Sequence, residues 1–367
     1  MLRTWPETAA CKTARGIFFP WGWLTAWLVC AAATASAEDL RPLGRIAFGS
    51  CCHQNRPQWI WEDIVEARPD VFLMIGDNIY GDSEDLAVLK QKWNQLGSVP
   101  KFQELRRICP VLATWDDHDY GANDAGVEFP VKKESQQVFL DFFGEPADSP
   151  RRRQEGVYWS YVFGPPGRRT QIVLLDTRYH RSPLKLNGKK KGVDVPYYGP
   201  YAANTDPGAT ILGETQWQWL ADQLRQPAEL RIIASSVQVL ANAHHWEKWG
   251  NFPAERDRLF RLIRETQAQG VVIISGDRHH AEISRNDQVV GYPLFDVTSS
   301  SLNQPQKADG QDEPNPDRVG PIYRLMNFGV IDVDWSAADP VLTLQIRDLD
   351  GKPQLSQTVS LSALRPR

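Results

Sequence analysis

Val71-Phe72-Leu73-Met74-Ile75-Gly76-Asp77-Asn78-Ile79-Tyr80-Gly81-Asp82 is the stretch that decides the fold. Five consecutive apolar residues stop at a glycine, and polar residues follow at once. A run that short reads as a strand buried on both faces, as in a parallel sheet, rather than as a helix. Another apolar run, 45–48, lies upstream. Between the two, 58–67 sets Ile60, Trp61, Ile64 and Val65 at helical spacing and closes on Arg68-Pro69. That is a β-α-β unit, and its crossover makes the two strands parallel.

The alternation continues outward. Residues 84–96 repeat the helical period through Leu86, Leu89, Trp93 and Leu96, and 109–114 reads as another buried strand. Strands are expected at 157–163 and 171–175, joined by the turn Pro165-Pro166-Gly167. A helix at 214–224 places Trp217, Leu220 and Leu224 on one face, and a strand follows at 231–234. Residues 253–267 form a helix with proline in its first turn, ahead of a very apolar strand at 271–275. Runs at 329–333, 341–346 and 356–361 read as closing strands, with Asp350-Gly351 as a hairpin turn. Two polar stretches, 181–210 and 303–320, are too long for ordinary connections, and such insertions are often functional.

The chain has 367 residues, 42% hydrophobic and 23% charged, an ordinary globular balance. A mean hydropathy of −0.43 excludes a multi-span membrane protein. Arg3, Lys12 and Arg15 precede a mostly apolar run, 17–33, and Ala35-Ser36-Ala37 then supplies a cleavage signature. Pro20, Gly22 and Thr25 interrupt the run that an uncleaved anchor would need. No Arg-Arg pair points to the twin-arginine route, and Val29 before Cys30 is a poor fit for lipid attachment. The expected organisation is a signal peptide, 1–37, ahead of one domain, 38–367, exported to the periplasm or beyond. Cleavage would remove three of 41 basic and one of 45 acidic residues, leaving 38 and 44, net −6. Such a chain has no basic field to attract nucleic acid. Arg151-Arg152-Arg153 and Lys189-Lys190-Lys191 read as solvated loop charge. Cys51, Cys52 and Cys109 would remain of the five cysteines, so at least one thiol is left unpaired or pairs between chains.

Polar residues cluster directly after an apolar strand in four places: Phe48-Gly49-Ser50-Cys51, Gly76-Asp77-Asn78-Ile79-Tyr80, Trp115-Asp116-Asp117-His118-Asp119 and Ser275-Gly276-Asp277-Arg278-His279. In α/β sheets, ligands bind beyond the carboxyl ends of strands. Carboxylate, imidazole, phenolate and thiolate are metal donors, and mixed O/N/S sets suit transition ions. Three of the seven histidines, His118, His279 and His280, fall in these segments. Asp116, Asp117 and Asp119 would repel one another in a core without a compensating cation or hydrogen bonds. Asp, Asn and Gly are common at strand-end turns, so a single segment would mean little. Four after four strands point to a metal site.

Together the four segments resemble the metallophosphatase (calcineurin-like phosphoesterase) signature in the form found in the alkaline phosphatase D (PhoD-like) family, F-x-S-C, G-D-x-x-Y, W-D-D-H-[DE] and S-G-D-x-H, in the same order. The resemblance implies a four-layer α/β/β/α sandwich with two packed mixed β-sheets. It implies metal ligation by Cys51, Asp77, Tyr80, Asp117, Asp277 and His279, with Asp77 bridging. It gives His118 and Asp117 the catalytic positions, His118 meeting substrate or protonating the leaving group. It implies iron and calcium as cofactors, other divalent metals remaining open, and hydrolysis of phosphoesters by a metal-activated hydroxide. Small-molecule phosphoesters, phospholipids and nucleotides are the substrate classes to consider, as mono- or diesters. Asn78, Asn123, Arg178 and Arg278 are candidates for contacting the phosphoryl group, and either arginine has a structural ion pair as its alternative role. Against the family's well-known members, this chain is expected to differ in its leader and to do without an extra N-terminal β-domain, with 181–210 and 303–320 supplying the rim.

Two other readings compete. A cysteine-nucleophile phosphatase would need an arginine six residues after its cysteine, and Arg56 is too close to Cys51 and Cys52. A metal-stabilised binding protein of the envelope would keep the fold without turnover. No G-x-S-x-G supports a serine hydrolase. Ser299-Ser300-Ser301 resembles a turn, and His244-His245 a solvent-facing or hydrogen-bonded loop pair.

Overall fold

The structure, a computed structural model, describes residues 41–306 and 312–366. The expected signal peptide, with Cys11 and Cys30, lies outside the described residues. The chain runs β1 (Arg45–Gly49), α1 (Ile60–Glu66), β2 (Val71–Ile75), α2 (Leu86–Gly97), α3 (Pro100–Ile108), β3 (Val111–Thr114), α4 (Asp117–Tyr120) and α5 (Lys132–Phe142). It continues through β4 (Trp159–Phe163), β5 (Thr170–Leu174), β6 (Lys185–Leu186), β7 (Tyr201–Ala202), α6 (Gly213–Leu224), β8 (Leu230–Ala234), α7 (Pro253–Glu265) and β9 (Val271–Ser275). It closes with β10 (Ala281–Asn286), β11 (Leu294–Ser299), β12 (Phe328–Asp334), β13 (Val341–Arg347) and β14 (Pro353–Ser360). Among the described residues no helix is long and apolar enough to cross a membrane.

Two six-stranded sheets form the centre. One is ordered β14-β13-β12-β1-β2-β3, the other β10-β11-β9-β8-β5-β4. Both are mixed: β1-β2-β3 and β11-β9-β8-β5 run parallel, β12, β13 and β14 add antiparallel strands on the β1 side of the first sheet, and β10 and β4 do so at both edges of the second. The period of two along each strand then sorts the layers. On β1 and β2, Ile46, Phe48, Val71, Leu73 and Ile75 join the core shared with the second sheet. Ala47, Phe72 and Met74 point the other way, to Ile60, Trp61 and Ile64 of α1, Trp93 of α2, Phe102 of α3 and Phe139 of α5. On the second sheet Trp217, Leu220 and Leu224 of α6 and Leu259, Phe260 and Ile263 of α7 cover the outer face. The architecture is the expected four-layer α/β/β/α sandwich.

The strands read from the sequence at 71–75 and 271–275 coincide with β2 and β9. Unread were α3, α4, α5, β6, β7, β10 and β11. In α5 the apolar residues Val138, Phe139, Leu140 and Phe142 crowd into the C-terminal half, so no helical period develops. β10 buries Glu282 and Ser284, which look like solvent residues in the sequence. Arg318 and Gln238 satisfy Glu282, and Asn315 satisfies Ser284.

Candidate metal centre

The parallel strands β2, β3 and β9 deliver Asp77, Asp117 and Asp277 from their carboxyl ends to one cleft. Its cavity of about 340 Å³ is lined by Asp77, Asp117, His118, Asn123, Asp124, Lys191, Trp246, Glu247, Asp277, Arg278, His279 and Gln306. The turns that enter it are tight. Gly76 has φ +111°, and a Cβ there would stand 2.6 Å from the Asp116 Cβ, so glycine lets the ends of β2 and β3 close together. Among the described residues, eight non-glycine residues adopt left-handed φ, and six of them are Cys51, Asp77, Asp82, Asp124, Asp277 and His279. Backbone strain of this kind gathers where surrounding structure fixes functional side chains.

Cys51, Asp77, Tyr80 and His279 converge. Cys51 Sγ lies 3.4 Å from Asp77 Oδ2, Tyr80 Oη donates to the same oxygen at 3.3 Å, and Tyr80 Oη meets His279 Nε2 at 2.9 Å. Ser300 fixes two of them: its Oγ is 3.1 Å from Cys51 Sγ and accepts from the His279 backbone N–H at 2.8 Å. The serine run at the end of β11 is therefore a buried support for the cleft. On the other side of Asp77 stand Asp117 and His118. His118 Nδ1 meets Asp82 Oδ1 at 2.6 Å, and its ring packs on Tyr80 with centroids 4.2 Å apart. The Asp124 backbone N–H donates to Asp117 Oδ2 at 2.6 Å, which brings the Asp124 carboxylate to the cleft.

Three sets of donors have their ligand atoms within 4.8 Å of one another: Cys51, Asp77 and His279; Asp77, Asp117 and His118; Asp117, Asp124 and Glu247. Asp277 is on the cavity wall outside those sets, 3.3 Å from Arg278 Nη1. The arrangement fits cations. Asp77 Oδ1 is buried without a hydrogen-bond partner. Burial, then repulsion by Asp77, pushes the Cys51 thiol well up. Burial, then repulsion by Asp117, does the same to Asp77, and burial lifts Asp277 to about 7. Bound cations would reverse that penalty by favouring the ionised forms. Burial would lower the His118 imidazole, but Asp77, Asp117 and Asp82 outweigh it and raise it to about 11. Burial, with Arg278 beside it, lowers His279 to about 3, the neutral form that a metal ligand needs.

Two of the four residues expected at the phosphoryl group are placed otherwise. Arg178 is fully buried, donating to Asp116 Oδ1 at 2.5 Å and to Glu247 Oε2 at 2.7 Å, so it is a structural ion pair. Asn78 is also fully buried, its amide donating to Thr114 O at 2.8 Å and Asp119 Oδ2 at 2.5 Å. Arg278 and Asn123 do line the cavity. Arg278 is paired with Glu313 and packs its guanidinium 5.0 Å from the centre of the Trp246 ring. Asn123 donates to Asp124 Oδ2 at 2.8 Å. His244 is buried against Gln238 rather than facing solvent, and neither His244 nor His245 lines the cavity. Cys51, Cys52 and Cys109 are all free thiols and all buried.

Sequence reading missed Asp124 and Glu247. Asp124 had a local signal, an acid seven residues beyond Asp117. Glu247 had none, since it reaches the cleft from a loop 130 positions from Asp117 and is held there by Arg178 and by Arg181 at 3.0 Å.

Residues 46–318 match the PhoD-like phosphatase family. The chain belongs to that family. Alkaline phosphatase D of Bacillus subtilis (strain 168) is 22% identical over 287 residues, 65% of this chain. The match spans 46% of that relative, under half its length. Among solved structures, one described as the structure of PhoD superposes with a TM-score of 0.66 at 16% identity, covering 88% of this chain and 69% of that one. GAP50, described as the anchor in the inner membrane complex of Plasmodium, superposes with a TM-score of 0.55 at 12% identity, covering 87% and 89%. At these identities the two structures speak for the fold alone.

Proposed function

We propose that this PhoD-like protein is an exported, metal-dependent phosphoester hydrolase whose domain, 38–367, follows a cleaved signal peptide. The observation that carries the reading is a cavity lined by Asp77, Asp117, His118 and His279, with Cys51 and Tyr80 packed behind Asp77 and His279. Cys51, Asp77, Tyr80 and His279 suit a transition ion, iron by family resemblance. The oxygen-only set Asp117, Asp124 and Glu247 suits calcium. Asp277 completes the acidic wall. Bound there, such ions supply Lewis-acid polarisation of the phosphoryl oxygens and acidify a water.

The chain's own residues do the remaining work. Asp82 holds the His118 ring by Nδ1, which leaves Nε2 to carry a proton to the leaving-group oxygen. Arg278, held by Glu313 and Trp246, offers positive charge to the developing phosphorane, and Asn123 offers a hydrogen-bond donor. A thiol nucleophile is disfavoured, because burial and Asp77 hold Cys51 in its protonated form.

The test is metal content and hydrolysis measured on one sample with p-nitrophenyl phosphate and its bis ester, whose ratio assigns mono- or diester preference. Asp77→Ala is expected to lose both bound metal and activity. His118→Asn is expected to keep its metal and lose about 100-fold or more in kcat. Full turnover after chelation, or in Asp77→Ala, refutes the metal reading. A metal-loaded parent inert on both esters leaves the binding-protein reading.

A further inference from the structure

The described residues expose eight large apolar side chains, and the three most exposed are Leu186 at 70%, Val193 at 75% and Val195 at 81%. All three belong to the hairpin built on β6 and β7. Its stem is well made: the Asn187 backbone N–H donates to Pro200 O at 2.7 Å, and its side chain donates to Gly199 O and Tyr201 O. A turn closes the tip, where Lys190 O accepts from Val193 N at 3.2 Å and Asp194 N at 3.0 Å. The base is tied to the loop that carries Trp246 and Glu247. His245 N donates to Tyr198 O at 2.7 Å, Tyr201 N donates to His245 O at 2.8 Å, and Tyr197 packs edge-on to Trp246.

A firmly held stem with valines at its tip offers those valines nothing in the described protein to pack on. The charge beside them is mostly basic, with Asp194 between the two valines. Lys185, Lys189, Lys190 and Lys191 face a single acid, Asp194, between residues 182 and 205, although the whole chain is net −4. The tip also adjoins the cleft, since Lys191 lines the cavity. Apolar side chains ringed by lysine are the pattern of a segment lying at a lipid interface, where the apolar part enters the headgroup boundary and the ammonium groups meet lipid phosphates.

We propose that this tip docks on an anionic lipid surface, with Val193 and Val195 inserted and Lys189 and Lys190 on the headgroups, holding the mouth of the cleft at that surface. Docking does not depend on the hydrolytic reading, because binding is measured without turnover. The experiment is co-sedimentation with vesicles of phosphatidylcholine, alone or with about 30 mol% phosphatidylglycerol. The protein is expected to partition onto the anionic vesicles, to leave neutral ones in solution, and to be released as salt rises. Lys189→Glu with Lys190→Glu is expected to weaken partitioning about 20-fold or more. Val193→Ser with Val195→Ser is expected to weaken it about tenfold. Both double variants keep the parent's circular dichroism, melting temperature and rate on a soluble ester, since none of the four residues touches the cleft. Absence of binding to anionic vesicles, equal binding to neutral ones, or undiminished binding by either double variant overturns the proposal. So does binding to polyglutamate as tight as to vesicles and indifferent to the valines, which would assign the patch to an acidic protein.

Discussion

Replacing Arg178 with methionine removes the guanidinium that lies between Asp116 and Glu247 while keeping most of its volume. Glu247 retains Arg181 at 3.0 Å, but Asp116 is left with the Ser236 hydroxyl at 2.7 Å as its remaining strong side-chain partner. Asp116 is fully buried, so water cannot replace the lost cation. Breaking one side of a buried ion pair costs about 3–5 kcal/mol, against a total stability of about 5–15 kcal/mol for a typical protein. At an m-value of about 3 kcal/mol/M in urea, a loss of about 3 kcal/mol moves the unfolding midpoint down by about 1 M. Intrinsic tryptophan fluorescence follows the transition. The double variant Arg178→Met with Asp116→Asn is expected to recover at least half of the loss, because the unpaired carboxylate is then gone. The informative contrast is with substrate binding. A variant that unfolds at the parent's urea concentration and shows only a raised KM would put Arg178 on the substrate and refute the ion-pair account.

Two further outcomes are expected. Partial burial, with Glu66 and Glu62 beside it, lifts the Asp63 carboxyl to about 6. Its native pKa lies above the unfolded value of about 3.9, so its contribution to stability is full below about pH 4 and lost as pH rises through about 6. Asp63→Asn should therefore melt higher than the parent at about pH 8 and converge with it towards about pH 4, and an equal gain at both pH values would contradict the assignment. Cys52 and Cys109 are buried, with burial pushing the Cys109 thiol up to about 12. A thiol reagent should label both only after denaturation, as peptide mass mapping would show, and rapid labelling of either in the native protein would contradict the packing.

The fold was legible where burial follows apolarity. β2 and β9 are buried throughout and read directly as apolar runs. It was illegible where polar residues are buried in partnership, as with Glu282 on β10 and Asp296 on β11, whose carboxylate accepts from Val239 N, Leu240 N and Ser275 Oγ. The site followed the same division. Donors that directly follow a strand, such as Cys51, Asp77 and Asp117, announce themselves by position. Glu247 and Lys191 reach the cleft through loop paths that no local pattern encodes. Arg178 shows the converse: a strand-end position suggested a substrate contact, and only the packing revealed two carboxylates around its guanidinium.

The Ser300 hydroxyl beside Cys51 joins residues 249 positions apart. That contact has a consequence for biosynthesis. A ribosome that has released the first 270 residues has already delivered Cys51, Asp77, Tyr80 and Asp117, but neither Asp277, His279 nor Ser300. The nascent cleft then holds most of the proposed donors, Asp124 and Glu247 included, but lacks Asp277 and His279. If the site holds metal as proposed, its full donor set exists only once β9 and β11 have docked, so ion selection would fall late in folding, after most of the chain has been made.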